Sequence, residues 1–137
     1  MLGLFKGKKK TKQVKILLVD DEPDLVCTVE YRLRFANYEV VTAANGNEGL
    51  ERAAADKPDL ILLDTNMPGM NGHEMLDHLR ADATLKDIPV IMLTARAEPQ
   101  DITAAAERGV SNYVTKPFDF THLIDEIQRV LDERDRQ

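Results

Sequence analysis

The stretch VKILLVDDEP, residues 14–23, decides the fold of this 137-residue chain. A mostly apolar run leads directly into three consecutive acids, Asp20, Asp21 and Glu22. A short continuous apolar run is typical of a strand that is buried on both faces of a parallel sheet. Two carboxylates in close contact repel each other by about 4 kcal/mol at an effective dielectric constant of about 20. The acids therefore predict a site where a cation offsets their repulsion.

Four further strand-like segments follow, separated by segments with helical periodicity. The strands are predicted at 39–43, 59–63, 89–93 and 112–115, and the last helix at 120–133. This alternation predicts an α/β fold in which a doubly wound, five-stranded parallel sheet carries helices on both faces. We expect one domain over residues 14–133, a basic flexible tail over 1–13 and a short C-terminal tail over 134–137.

The charged residues are unevenly distributed along the chain. Residues 1–15 contain six lysines and no acid, whereas residues 16–137 contain 24 acids and 12 basic residues, a net charge of −12. A body this acidic repels nucleic acid, so we expect no direct nucleic-acid binding. No apolar run approaches the roughly 20 residues that span a bilayer. The single cysteine, Cys27, is interpreted as a buried helix residue in a protein of the reducing cytoplasm.

Polar side chains stand at the ends of four of the five predicted strands. These are Asp20 and Asp21, Asp64, Thr94 and Lys116. The carboxyl ends of parallel strands meet at one edge of a sheet, so these groups converge if the first and third strands are neighbours. Carboxylates without soft ligands suit Mg²⁺, with Mn²⁺ as the alternative. A carboxylate in such a site can attack phosphorus, with Lys116 and the metal balancing the phosphoryl charge and the Thr94 hydroxyl donating a hydrogen bond.

The same residues also have purely structural interpretations. Asp20 and Asp21 could form a helix N-cap cluster, although Asp24 is better placed to cap a helix that starts at Leu25. Asp64 precedes a segment rich in turn residues and could be a turn former. Thr94 could be an ordinary strand-end residue. Tyr113 could be a static aromatic, and Lys116 could be a surface lysine. The histidines are predicted to be exposed helix residues: His73, His78 and His122.

Four motifs, LLVDDEP, DLILLDTNMPGMNG, PVIMLTA and YVTKPF, occur in this order at the strand ends. Together they resemble the receiver domain of two-component response regulators, and the resemblance covers nearly the whole chain. It implies a flavodoxin-like sheet with strand order 2-1-3-4-5. It also implies a single-domain protein similar to the chemotaxis regulators.

The resemblance assigns roles to individual residues. Asp64 would be the phosphorylation site, and the catalytic residues would be Asp64, Lys116 and Thr94. The metal ligands would be Asp20, Asp21, Asp64 and the main-chain carbonyl of Asn66, with Asp20 acting mostly through water. Thr94 and Tyr113 would form the switch pair, and a cis peptide bond would join Lys116 to Pro117. Arg96 and Asn66 would tune the lifetime of the phosphate.

The implied function is phosphorelay signalling rather than enzymatic turnover. A histidine kinase or a histidine phosphotransfer protein would donate the phosphoryl group. The surface of the fourth helix, fifth strand and fifth helix would then select a downstream protein, with the chain a monomer or a phosphorylation-dependent dimer. Two alternatives stay open. One is a phosphohydrolase of the haloacid-dehalogenase type, which needs a second Asp where this chain has Asn66, and the other is an unphosphorylated interaction module.

Overall fold

The computed structural model describes residues 13–95 and 99–136. The strands are β1 (Lys15–Val19), β2 (Glu39–Ala43), β3 (Leu60–Asp64), β4 (Val90–Thr94) and β5 (Asn112–Thr115). The helices are α1 (Pro23–Phe35), α2 (Gly46–Asp56), α3 (Gly72–Ala81), α4 (Pro99–Glu107) and α5 (Phe120–Asp135). All strand pairs are parallel, in the order β2-β1-β3-β4-β5. The predicted doubly wound fold and its strand order are confirmed.

The sheet separates two hydrophobic cores. In β1, Ile16 and Leu18 pack in the core under α1 and α5, whereas Leu17 and Val19 pack in the core under α2, α3 and α4. Every residue of β3 and β4 is buried. Strands covered on both faces need apolar side chains at consecutive positions, which explains why the sequence shows continuous apolar runs rather than alternation.

The strands lie within one residue of their predicted positions, and the shift places two functional candidates inside the sheet. Asp64 is the last residue of β3 and Thr94 is the last residue of β4. Both side chains are therefore anchored to a strand instead of a loop. A strand-end residue is held by its neighbours' hydrogen bonds, so these groups are positioned more rigidly than loop residues would be.

Helix boundaries differ from the prediction at two places. α1 begins at Pro23, a residue suited to the first helical position, with Glu22 as the N-cap, so the predicted cap at Asp24 is wrong. α5 continues to Asp135, past the predicted end at residue 133. Its last turn is held because Arg134 donates to the Asp59 carbonyl at 3.2 Å.

The prediction that Cys27 is buried is wrong, because this side chain is exposed. Cys27 precedes the buried Val29 by two residues, which places it about 200° away around the helix. Residues 1–12, which make up most of the predicted tail, and Arg96 lie outside the described residues. Within the described ranges, none of the helices combines the length and the apolar character that crossing a membrane requires.

Candidate functional site

Three strands bring distant residues together at the carboxyl-terminal edge of the sheet. Asp20 directly follows β1, Asp64 ends β3 and Lys116 directly follows β5. The Lys116 Nζ atom lies 2.8 Å from Asp20 Oδ2 and 3.4 Å from Asp64 Oδ1. The lysine reaches past β4 to both acids, and the predicted cis bond between Lys116 and Pro117 is confirmed.

Both carboxylate oxygens of Asp20 accept hydrogen bonds. The residue is 1% exposed, and its Oδ2 accepts a hydrogen bond from Lys116. Its Oδ1 accepts from the Glu22 backbone N–H at 3.0 Å, so the acid also holds the entry to α1 in place. The N-cap cluster considered from the sequence thus corresponds to a local turn formed by Asp20, not to a side-chain cap of the helix.

Asp64 is buried without enough positive charge nearby. The residue is 3% exposed, and its Oδ1 accepts a hydrogen bond from the Asn66 backbone N–H at 3.3 Å. Burial, followed by the charge of Asp20, raises the pKa of Asp64 to about 6, while Lys116 and the Asn66 hydrogen bond act in the opposite direction. The charged carboxylate is therefore less stable here than in water.

Lys116 is shared among several acids. Its side chain is 14% exposed, and Nζ also lies 3.1 Å from Glu22 Oε1. Burial disfavours the charged ammonium, but the hydrogen bonds to Asp20 and Glu22 and the charges of Asp20 and Asp64 outweigh it and raise the pKa of Lys116. The lysine is thus a fixed cation, and its contact with Glu22 was not foreseen from the sequence.

The acids fit a divalent cation. Asp20, Asp21 and Asp64 each offer a carboxylate oxygen, and these oxygens lie within 4.8 Å of one another. Asp20 and Asp64 are buried, whereas Asp21 is accessible to solvent. One lysine cannot neutralise three carboxylates, and the charge of Asp20 adds to the effect of burial in raising the pKa of Asp64. Hard oxygen ligands in a partly open acidic pocket suit Mg²⁺, which keeps several of its waters.

The segment after β3 packs tightly against the site. A Cβ atom at residue 72 would lie 2.2 Å from the Asp64 carbonyl oxygen, which is too close for any side chain. Only glycine therefore allows α3 to start this close to the strand. Asn71 caps α3 by accepting from the Glu74 N–H, and the Glu74 side chain accepts from the Asn71 N–H. This capping box fixes the helix that borders the acidic pocket.

Thr94 and Tyr113 line a cleft of about 320 Å³ next to the acids, together with Asn66 and His73. Thr94 is buried, and β4 and β5 pair Met92 with Tyr113, so Thr94 and Tyr113 point to the same face of the sheet. The Tyr113 hydroxyl is buried and has no hydrogen-bond partner among the described residues. Burial and the Asp101 charge raise the pKa of Tyr113.

His73 is a site residue that the sequence reasoning missed. It was predicted to be exposed, but it is half-buried, and its Nδ1 has no partner within the described ranges. His78 and His122 are exposed, as predicted. The difference arises because α3 begins beside Asp64, so its first turn faces the cleft. The sequence contained one indication, the glycine directly before His73 that permits this close approach.

The family of this chain follows from comparison with known proteins. The family model described as the response regulator receiver domain matches residues 16–128, and the chain belongs to this family. The chemotaxis response regulator CheY4 of Vibrio cholerae has a similar structure, with a TM-score of 0.83 and 35% identity over 87% of this chain and 99% of that one. A CheY-like receiver domain protein from Methanospirillum hungatei has a TM-score of 0.86 and 29% identity, covering 91% and 98% of the two chains.

Curated relatives are longer proteins. The alkaline phosphatase synthesis transcriptional regulatory protein PhoP of Bacillus subtilis is 42% identical over 104 residues, which cover 76% of this chain and 42% of that protein. The transcriptional regulatory protein PrrA of Mycobacterium tuberculosis is 38% identical, with coverage of 88% and 51%. The chain thus spans about half the length of these relatives. It is a receiver domain of two-component response regulators, a regulatory class of protein.

Proposed function

We propose that Asp64 accepts a phosphoryl group and that the resulting charge switches the binding of a partner protein. The observation that supports this most strongly is the combination at Asp64 of burial, a pKa of about 6 and a lysine ammonium 3.4 Å away. A carboxylate with this pKa is mostly ionised at pH 7 and remains a nucleophile. It is also less well solvated than a surface acid, which favours reaction with an electrophilic phosphorus.

The reaction balances without an oxidant or an added co-reactant. An Asp64 carboxylate oxygen forms a bond to phosphorus while the phosphorus–nitrogen bond of a donor phosphohistidine breaks, and the released imidazole nitrogen takes up a proton from water. Lys116 offsets the negative charge on the transferred group. Asp20, Asp21 and Asp64, with the Asn66 carbonyl, would hold Mg²⁺, whose charge would neutralise the phosphoryl oxygens. Asp64 then carries an acyl phosphate.

The switch is proposed to run through Thr94 and Tyr113. Phosphorylation adds about −1.5 to −2 charges at Asp64. Moving a two-state equilibrium from 1:99 to 99:1 requires about 5.5 kcal/mol of preference for the active state. A phosphate held by Lys116 and by the Thr94 hydroxyl would supply part of this preference. Tyr113 would occupy the space beside Thr94, coupling the site to the surface formed by α4, β5 and α5.

A histidine kinase or a histidine phosphotransfer protein is the proposed donor, in the cytoplasm, and a protein that binds the α4-β5-α5 surface is the proposed target. Membership of the receiver family supports this choice. The phosphohydrolase alternative is disfavoured because the residue two positions after Asp64 is Asn66, which cannot act as a general acid. The interaction-module alternative gives no reason to keep a costly cluster of buried acids.

Incubation with acetyl phosphate and Mg²⁺, followed by intact mass measurement, tests the proposal. We expect the unsubstituted chain to gain one phosphoryl group that survives acid and is lost in base. The Asp64→Asn variant should gain none. Asp59→Asn is the matched control, because Asp59 precedes the same strand at the opposite edge of the sheet, and it should be labelled normally. Full labelling of Asp64→Asn would move the acceptor elsewhere and overturn the proposal.

A further inference from the structure

Helix α1 presents a row of exposed, largely apolar side chains to solvent. Tyr31 is 68% exposed and Phe35 is 81% exposed, and they are two of the three large hydrophobic side chains that are exposed within the described ranges. Cys27, also exposed, precedes Tyr31 by four residues. Residues four apart lie on the same face of a helix. We call Cys27, Tyr31 and Phe35 the α1 stripe.

The α1 stripe is not part of the domain core. Val29 and Leu33 form the buried side of α1 and pack under the sheet with residues of α5. An isolated exposed apolar residue is ordinary, but a contiguous exposed apolar row marks a surface that another group covers. The question is which group is available to cover it.

The described chain begins at the C-terminal end of the α1 stripe. Gln13 Nε2 donates to the Asn37 carbonyl at 2.9 Å, and Asn37 follows Phe35 by two residues. Gln13, to which residues 1–12 are joined, therefore lies close to the C-terminal end of the stripe. The segment from Phe5 to Gln13 can extend to roughly 28 Å, whereas the stripe from Phe35 to Cys27 is only about 12 Å long. The N-terminal segment is long enough to reach all of it.

The composition of residues 1–12 complements this surface. The segment carries Leu2, Leu4 and Phe5 at its beginning and five lysines after Phe5. The apolar side chains suit an exposed aromatic row, and the lysines suit an acidic body. Residues 16–137 have a net charge of −12, so the remainder of the chain attracts this segment.

The charges closest to the starting point favour the same arrangement. The Glu39 N–H donates to the Val14 carbonyl at 2.8 Å, so the segment leaves beside an acidic residue. Asp132 is also near, because the Tyr38 hydroxyl donates to Gln128 at 3.3 Å and Gln128 donates to Asp132 at 3.1 Å.

The basic residues of α1 already interact with other groups. Arg34 pairs with Glu30 at 2.9 Å, and Arg32 lies 4.6 Å from the centre of the Phe120 ring. These contacts offset part of the positive charge beside the stripe, so incoming lysines meet less repulsion there.

We propose that residues 1–12 fold back and place Leu4 and Phe5 on the α1 stripe, with the lysines directed toward Glu39 and Asp132. A protein partner that contacts Tyr31 and Phe35 would then compete with this segment. An anionic membrane also attracts lysine-rich apolar segments, but it repels a body with a net charge of −12. Covalent attachment gives the segment an effective concentration in the millimolar range for its own domain, which favours the intramolecular contact.

The thiol of Cys27 reports on this contact, because it is the only cysteine of the chain and lies at one end of the stripe. Its rate of reaction with an aromatic disulfide reagent is compared between the unsubstituted chain and a Leu4→Ser/Phe5→Ser variant. The variant keeps every lysine, so the net charge of the chain is unchanged. We expect the unsubstituted chain to react at about one third of the rate of the variant, or still more slowly. This is the result for a segment that is docked most of the time. High salt should reduce the difference in rate between the two proteins, because it screens the attraction between the lysines and the acidic body.

Two further measurements separate the other occupants of the stripe. Protection of Cys27 by a second copy would increase with protein concentration and double the mass in light scattering, which would overturn the proposal. Equal thiol rates would overturn it as well. If rates are equal and the chain sediments with phosphatidylserine vesicles, the segment binds membranes instead. The outcome is independent of phosphorylation at Asp64, because the test uses no phosphodonor.

Discussion

The two edges of the sheet pair their charged side chains in opposite ways. At the amino-terminal edge, Asp59 accepts a hydrogen bond from the Lys15 N–H at 2.8 Å and from Arg134 at 3.3 Å. At the carboxyl-terminal edge, Asp20 and Asp64 both depend on Lys116. Asp59 at the first edge is thus matched by donors that stabilise the fold. Charges at the second edge are left with a negative surplus, which is useful only if a cation binds there.

The size of a cleft does not distinguish these edges, but its unpaired charge does. A cleft of about 510 Å³ lies at the amino-terminal edge, larger than the one beside Thr94. Its half-buried Arg80 is already used by the fold. The guanidinium donates, at distances from 2.9 to 3.2 Å, to four backbone carbonyls, those of Lys86, Ile88, Arg108 and Gly109. A saturated donor has little left to offer a ligand.

The largest loss of stability is expected from a variant at the amino-terminal edge of the sheet. Arg80→Ala removes four charge-assisted hydrogen bonds and leaves carbonyls unpaired, so the free energy of unfolding should fall by about 3 kcal/mol. Arg52→Ala is the control, because Arg52 is exposed and lies 3.8 Å from Asp56. It should change stability by no more than about 0.5 kcal/mol. Urea unfolding checks both, and equal losses would contradict the assignment of Arg80.

A gain in stability is expected from a variant at the carboxyl-terminal edge of the sheet. Asp64→Asn removes a carboxylate whose pKa is raised to about 6. It should therefore raise the free energy of unfolding by about 3 kcal/mol at pH 7 without metal, at roughly 1.4 kcal/mol per pKa unit. A loss of stability in urea unfolding would show that Asp64 is adequately paired and would contradict the surplus.

The pH dependence of that gain follows from the sign of the shift. A raised carboxyl pKa makes protonated Asp64 favourable to the fold, so its contribution is fully present below about pH 4 and is lost as the pH rises through about 6. The difference in unfolding free energy between Asp64→Asn and the unsubstituted chain should shrink steadily from pH 7 to pH 4. A constant difference across this range would rule out Asp64 as the titrating group.

A smaller loss is expected from the equivalent change at the matched edge. Asp59→Asn keeps the shape of the side chain but weakens its bonds to Lys15 and Arg134, so the free energy of unfolding should fall by about 1 kcal/mol. This loss contrasts with the gain expected for Asp64→Asn. The two variants make the same chemical change, one just before β3 and the other at its last residue. Stabilisation by both variants would remove the distinction between the edges.

The fold and the positions of the strand-end residues could be predicted because they depend on local patterns. Asp20 and Asp64 stand at the ends of apolar runs, and parallel strands bring such ends together whatever the loops do. The orientation of Cys27 and of His73 could not be predicted, since it depends on how α1 and α3 are rotated against the sheet. The bond between Glu22 and Lys116 was missed for a related reason, because it joins a loop residue to a lysine 94 positions away.

The central claim, that Asp64 is a buried carboxylate short of positive charge, is tested most directly by an NMR titration of its carboxyl carbon without metal and with Mg²⁺. We expect an inflection near pH 6 without metal. We also expect the inflection to move clearly to lower pH when Mg²⁺ is added, because a cation favours the ionised form. An inflection near the ordinary value of about 4 that does not move with Mg²⁺ would contradict it.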